Sequence, residues 1–320
     1  CKILDGWPVG LRIAGRYCSS TGESAADYLR WLEQEPFKEL GDGEHQEENA
    51  ALLLRRSVAQ VSDDARLALG VAGTLAFAPI AREPVAAILE DDERRARKAL
   101  GELVNYGLLE KREERWQVSH ALVHTYACSE LALSKEHLEQ VAAYYVDFCE
   151  TQSVAGLEGY ARLDGERAHC LRLIGSCFEN GLWQEVHYLV RAINIYLDRQ
   201  GWWVERLAVY DIRLIAAQQA GDSKDQGACL NHLGYTCKRR REYEKALSYY
   251  EQGLQIYSKL GDREGETTIL NKIGQIYRAQ GIYEQALEKF QQSLIIAREI
   301  GDRQREGRIL DLSLIHISEP

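Results

Sequence analysis

Gly221-Asp222 opens a stretch that returns as Gly261-Asp262 and again as Gly301-Asp302, each time forty residues on. Between the first two copies Asn231-His232-Leu233-Gly234 answers Asn271-Lys272-Ile273-Gly274. Tyr243-Glu244-Lys245-Ala246-Leu247 answers Tyr283-Glu284-Gln285-Ala286-Leu287. Twelve of forty aligned positions are identical, more than two unrelated amphipathic helices would share. A fixed period of this size signals stacked supersecondary units, none of which can bury its apolar face alone. Each unit reads as helix–turn–helix. Leu230, Leu233, Gly234 and Cys237 share the first helix of one copy, and Ala246, Tyr250 and Gly253 the second. Leu270, Ile273, Gly274 and Tyr277, then Ala286, Phe290 and Ser293, are the next set. Small residues at Gly234, Gly274, Ala246 and Ala286 mark close helix approach, with Tyr250 and Phe290 filling the space opposite.

The register extends outward from this block. Trp203 stands forty residues before Tyr243 and Leu207 forty before Leu247, so a worn form of the period reaches back to about residue 181. Downstream, six of the first ten residues of the third copy match the second. The pattern breaks at Asp311, and the run Leu312-Ser313-Leu314-Ile315-His316-Ile317-Ser318-Glu319-Pro320 resembles a translated sequencing adapter. A solenoid cut there would expose the face its next helix covers, so self-association or fraying near Leu294 to Leu310 is expected. The first helices of the repeats should present Asn231, Tyr235, Lys238, Asn271, Gln275 and Arg278 on an inner face. Amides at matching positions suit the backbone of an extended peptide; a merely solvated surface is the alternative.

Residues 46–130 read differently. Helical patterns run over Ala50–Val61, from the Ser62 cap toward Pro79, over Pro84–Leu89, and over Glu93–Asn105, which Gly107 terminates. Leu108–Arg112 and Arg115–Val118 then form a short hairpin. Helices followed by a two-stranded wing make a winged helix-turn-helix, a fold that can bind DNA through the helix before the wing. That helix carries Arg94, Arg95, Arg97 and Lys98, but Asp91, Asp92 and Glu93 beside them oppose phosphate neutralisation. His120 and His124 share a face at the spacing of a zinc pair, without the intervening glutamate or an evident third ligand. Residues 1–45 contribute Gly6-Trp7-Pro8 ahead of one helical stripe, a second over Ala25–Leu32 ended by Pro36, and a turn at Asp42-Gly43. Residues 131–165 read as a connecting helix and a linker at Gly156–Gly159, and 166–220 as degenerate helical pairs ahead of the repeats at 221–310 and a tail at 311–320.

The chain has 320 residues, a formal charge of −10 and 28% charged residues. That charge opposes bulk nucleic-acid binding, and no run of eighteen apolar residues spans a membrane. Eight cysteines without a Cys-x-x-Cys pair point to reduced thiols and a cytoplasmic setting. No methionine occurs, and Cys1 opens in mid-pattern, as an internal fragment would. No Gly-x-x-x-x-Gly-Lys-Ser/Thr loop is present, so no phosphate cradle of that kind exists in the chain.

The order of Gly6-Trp7-Pro8, a helical segment, a winged helix ending in a strand and His120-x-Leu122, then helical repeats, resembles bacterial NB-ARC proteins. These are STAND-class signalling ATPases with tetratricopeptide (TPR) sensors. The resemblance covers roughly residues 3–310 and implies a mainly α chain. It would hold the end of a helical subdomain, a winged helix with a small β-wing, and a TPR-like α-solenoid. In that family the proline of a Gly-x-Pro motif closes the nucleotide site, and Pro8 stands there. The histidine of a Met-His-Asp-like motif meets the β-phosphate of ADP, and His120 stands there with Ser119 and Ala121 in place of Met and Asp. The resemblance implies ADP or ATP in a full-length parent, none in this chain alone, no catalysis here, and a protein or peptide ligand on the repeats. A DNA-binding regulator and a plain TPR scaffold are the alternative functions.

Overall fold

The computed structural model describes residues 8–34 and 46–314. Gly6-Trp7, Pro36, Asp42-Gly43 and the tail beyond Leu314 lie outside the described residues. The chain divides into two compact units, Cys1–Glu185 and Val186–Pro320. Among the described residues there are sixteen helices and one two-stranded sheet, so the fold is mainly α.

The first unit begins with α1 (Pro8–Thr21), α2 (Ala25–Gln34) and α3 (Gln46–Gln60), followed by α4 (Asp63–Thr74), α5 (Glu83–Ala87) and α6 (Glu93–Asn105). Arg56 of α3 binds Glu23 at 2.8 Å and lies over the rings of Tyr17, Tyr28 and Trp31 at 4.8, 4.9 and 4.0 Å. It therefore joins α1, α2 and α3. Ser62 caps α4 by accepting from the Ala65 amide, and Asp92 caps α6 by accepting from the Arg94 and Arg95 amides. Such caps contribute about 1 kcal/mol each. α4 ends at Thr74, well before Pro79. The chain between them turns toward the sheet, where Ile80 exchanges backbone hydrogen bonds with Trp116. α6 ends in a Schellman arrangement: Gly107 (φ +72°) donates to Val104 O and Leu108 to Leu103 O. This reversal feeds β1 (Leu109–Arg112), which pairs antiparallel with β2 (Arg115–Val118), Leu109 facing Val118.

Then come α7 (Ala121–Glu130), α8 (Lys135–Val154) and α9 (Gly156–Glu179). α4 crosses α7 so closely that a Cβ on Gly73 would stand 2.7 Å from Ala127 Cβ. Gly156–Gly159, expected as a linker, is instead the first turn of α9. Gly156 takes φ +72° directly after Ala155, and a side chain at Gly159 would collide with the Gln152 carbonyl. These glycines permit a tight helical hairpin.

The second unit takes in most of α10 (Trp183–Gln200), then α11 (Trp203–Gln219), α12 (Ser223–Arg239), α13 (Tyr243–Leu260), α14 (Arg263–Ala279), α15 (Tyr283–Glu299) and α16 (Arg303–Leu314). α16 runs on past Asp311, so the register break there does not end the helix. The recurring Gly-Asp pair now has a physical reason. Gly221, Gly261 and Gly301 adopt φ of +69°, +68° and +72° at the end of one helix. The next amide, of Asp222, Asp262 or Asp302, closes that helix on the carbonyl of Ala217, Tyr257 or Ala297, each at 2.9 Å. The same aspartates then cap the following helix, Oδ1 accepting from Asp225, Gly265 and Arg305 amides at 2.9, 2.8 and 2.9 Å. One dipeptide stops a helix and starts another. The core between α12, α13 and α14 gathers Cys237, Ala246, Tyr250, Tyr257, Ile269, Ile273 and Ile276.

Candidate functional site

Within the first unit Pro8 stands at the first position of α1 and is exposed, where its missing amide donor costs nothing. One turn on, Arg12 donates to Ser119 O at 2.9 Å and to Glu110 at 2.8 Å. The start of α1 is thus tied to the strand end beside His120. His120 itself caps α7, Nδ1 accepting from the Leu122 amide at 3.2 Å. The cap fixes the neutral ring's proton on Nε2. His124 is spent otherwise: Nε2 lies 2.9 Å from Leu75 O and the ring packs edge-on to Phe77. The two histidines do not converge as a metal pair. Among the described residues no three His, Cys, Asp or Glu side chains cluster as metal ligands.

Two of the acids beside the basic residues of α6 are engaged within the fold. Asp92 is the cap, and Glu93 binds Arg82 at 3.2 Å. Arg95 reaches Asp64 at 2.8 Å and Glu90 at 3.2 Å. Asp64 is held below the usual carboxylate range chiefly by that Arg95 hydrogen bond. Arg94, Arg97 and Lys98 stay exposed.

In the second unit the six residues expected on the inner face come together. Asn231, Tyr235 and Lys238 lie on α12 and Asn271, Gln275 and Arg278 on α14, all half-buried. Lys238 Nζ donates to Gln275 Oε1 at 2.7 Å, across the two helices, and Gln275 Nε2 reaches Asn271 Oδ1 at 3.4 Å. Tyr235 OH accepts from Arg239 at 3.2 Å.

The same face holds residues that the sequence reading passed over. Lys272 Nζ donates to Asn231 Oδ1 at 2.7 Å and sits 5.6 Å from the Tyr235 ring centre. Burial, then the neighbouring Lys238 and Arg206 charges, push its amine down to about 8. Burial and Arg278 push Lys238 down as well. Behind them Arg206 of α11, 2% exposed, donates to Asn194 Oδ1 at 3.0 Å and to Thr236 Oγ1. It also approaches His232 Nδ1 at 3.2 Å. Arg213, two turns along, pairs with Asp225, which His187 also contacts at 3.2 Å. The signal for both arginines was in the register: Arg206 stands forty residues before Ala246, and Arg213 forty before Gly253. Between α14 and α16 the face continues into a groove of about 460 Å3, lined by Thr267, Thr268, Asn271, Lys272, Gln275, Arg305, Arg308 and Ile309.

A family model for the tetratricopeptide repeat matches residues 225–299. Among solved structures the chain is similar to the Signal Transduction ATPase with Numerous Domains (STAND) protein with a tetratricopeptide repeat sensor from Pyrococcus horikoshii. Identity is 13%, the TM-score 0.33, and the alignment covers 94% of this chain and 62% of that one. It is also similar to aspartyl phosphate phosphatase F from Bacillus subtilis, at 13% identity and TM-score 0.40, covering 94% of this chain and 77% of that chain. BtubC from P. vanneervenii aligns at 16% identity and TM-score 0.27, over 59% of this chain and 94% of its own. The chain spans 62% of the length of the first of these. No curated protein matches the chain.

Proposed function

We propose that this chain is the regulatory part of a nucleotide-switched signalling protein. Its repeats sense a protein or peptide, and its hairpin-bearing unit acts as a winged helix relaying nucleotide state. The observation that carries the sensor role is the polar face shared by α12 and α14, inside the segment that matches the tetratricopeptide model. Solenoids of this kind offer extended inner surfaces to partners. Peptides selected on the full chain from a random displayed library should lose binding in Asn231→Ala/Asn271→Ala. Recovery of no peptide, or peptides indifferent to that double change, would overturn the sensor role.

The nucleotide relay rests on Pro8 and His120. With Nδ1 committed to the α7 cap, Nε2–H is the donor left for a phosphate oxygen, which suits contact with ADP. This reading assigns no hydrolysis to these residues and requires a phosphate-binding loop in a longer chain. His120→Asn separates the roles, because asparagine caps a helix well through Oδ1 while its remaining donor, Nδ2, falls short of where the imidazole Nε2–H stands. In such a longer chain ADP release should quicken with unchanged thermal stability; unchanged release would remove His120 from the relay.

A second reading, DNA binding through α6, draws on the exposed Arg94, Arg97 and Lys98. It expects a salt-sensitive shift of duplex DNA that Arg94→Ala/Arg97→Ala abolishes. No shift at low salt would end it.

A further inference from the structure

α8 and α9 bring two thiols into contact. Cys149 Sγ lies 3.7 Å from Cys170 Sγ, and both side chains are buried. The two residues are 21 positions apart, one on each helix. From that hydrogen-bonding distance, closure to a disulfide at about 2.05 Å asks for a shift of only about 1.7 Å. Other buried thiols have different neighbours. Cys237 belongs to the apolar core of the repeats, and Cys229 lies 4.0 Å from the Asp225 carboxylate.

Burial alone makes a thiol inert, so access decides what the pair can do. The stretch between Cys149 and the α8–α9 turn is poorly anchored. Gln152 and Ser153 are buried, yet Gln152 Oε1 and Ser153 Oγ have no hydrogen-bond partner among the described residues. Unsatisfied buried groups cost stability. Just beyond, Val154 and Leu157 are 86% and 88% exposed, so they add almost no apolar burial. Local opening begins where anchoring is weakest, here at the end of α8 that carries Cys149. In the closed form the Cys149 hydrogen bond, burial and the Glu166 charge hold the Cys170 thiol well above the usual thiol range. The resting pair is protonated and reduced.

We propose that Cys149 and Cys170 are a modification site, an oxidisable dithiol that hydrogen peroxide converts into a disulfide joining α8 to α9. Opening at the end of α8 admits the peroxide to Cys149. One peroxide oxygen passes to its Sγ as the O–O bond breaks, giving a sulfenic acid and water. The Cys170 sulfur then attacks the Cys149 sulfur. The S–S bond forms, the S–O bond breaks, and the hydroxyl leaves as water with the Cys170 proton. The two thiols lose two electrons and two protons, and the peroxide is reduced to two waters. Closing over again, the fold shields the new bond from reductants as it shielded the thiols. Tyr145 stands one turn before Cys149, and Glu166 one turn before Cys170. Tyr145 donates to Glu166 Oε2 at 2.9 Å, and Glu166 also binds Arg115 of β2. The cross-link thus fixes the helix pair on which the β-hairpin is seated.

The test is a disulfide map of the full chain. The reduced, folded protein is exposed to rising hydrogen peroxide until the half-buried Cys128 is oxidised. It is then denatured, alkylated and digested without reductant. The expected product is a linked pair of peptides carrying Cys149 and Cys170, two hydrogens lighter than the reduced pair and released by dithiothreitol. Urea well below the unfolding midpoint should speed its formation, because opening limits access. The cross-link restricts the unfolded chain, so the oxidised protein should melt higher than the reduced one, and Cys149→Ser/Cys170→Ser should lose that difference. Cys170→Ser alone removes the resolving sulfur, and dimedone should then trap the sulfenic acid at Cys149, with circular dichroism confirming an intact fold. Recovery of Cys149 and Cys170 as alkylated thiols, with Cys128 already oxidised, would overturn the proposal. A disulfide from either of them to a different cysteine would overturn it too.

Discussion

Gly234 faces the ring of Tyr250 so closely that a Cβ would stand 2.6 Å from Cε1, and Gly274 repeats the relation to Phe290 Cε1 at 2.7 Å. Both aromatic rings are at most 1% exposed, so neither can swing aside into solvent. Gly234→Ala or Gly274→Ala should therefore destabilise by about 1–3 kcal/mol, the cost of overpacking. Gly253 offers a control. Its added methyl would meet Leu230 Cβ at 3.6 Å, ordinary contact, and alanine favours a helix by about 0.5–1 kcal/mol. Urea midpoints should fall for the first two and hold or rise for the third.

Arg241 occupies the turn from α12 to α13 at φ +63°, where the matching turns place Gly201 (φ +74°) and Gly281 (φ +76°). A side chain in the left-handed region costs about 1–2 kcal/mol, and Arg241 is exposed with no packing to offset it. Arg241→Gly should raise the melting temperature even though glycine enlarges the unfolded ensemble. A lower melting temperature would show that the arginine contributes a contact beyond its backbone.

Legibility in the sequence followed the physical range of each interaction. The Gly-Asp pairs, the α6 boundaries and the hairpin were readable because stop and start signals are local and their residues are adjacent. The inner-face residues were readable from helical period. Which end of Asn231 or Asn271 stays free was not, because it depends on Lys272 and Lys238 reaching across two helices. Gly156 and Gly159 misled because a glycine pair looks alike in a linker and in a tight helical hairpin. His120 carries a cap that the sequence could not distinguish from a ligand. Arg206 and Arg213 were visible in the forty-residue register, as arginines where later copies have Ala246 and Gly253.

His232 gives the second unit an acid-sensitive point. It stacks on Tyr210 at 4.6 Å, accepts at Nδ1 from Arg206, and is pushed down to about 3 by burial, then by Arg206, Lys272 and Arg213, against Asp225. The unfolded ring takes its proton near pH 6.5 while the folded ring refuses it. Its stabilising effect is therefore complete above about 6.5 and is lost as pH falls toward 3, at up to ~1.4 kcal/mol per pH unit. His232→Asn keeps an acceptor for Arg206 and should flatten that part of the stability profile. Parallel profiles for the two proteins between pH 7 and 5 would show that carboxylates alone set the acid limit.

Lys272 should cost stability in the unliganded protein. Its amine is held near 8, below the usual lysine range near 10.4, so from about pH 8 to 10 the unfolded chain binds the proton that the folded chain has released. Stability from this residue therefore rises with pH through that window, and below about 8 its penalty is fully present. Lys272→Met removes the charge and keeps the stem that packs near Tyr235 and Tyr250, but it leaves Asn231 Oδ1 without its donor, a loss of ~1 kcal/mol. The net expectation at neutral pH is a gain of about 1–2 kcal/mol, since the amine's downward shift outweighs that one bond. The gain should shrink as pH approaches 10. Denaturant titrations of both proteins at pH 7 and 9.5 measure this directly. A Lys272→Met protein less stable at both values would mean that Asn231 depends on the lysine more than burial penalises its charge.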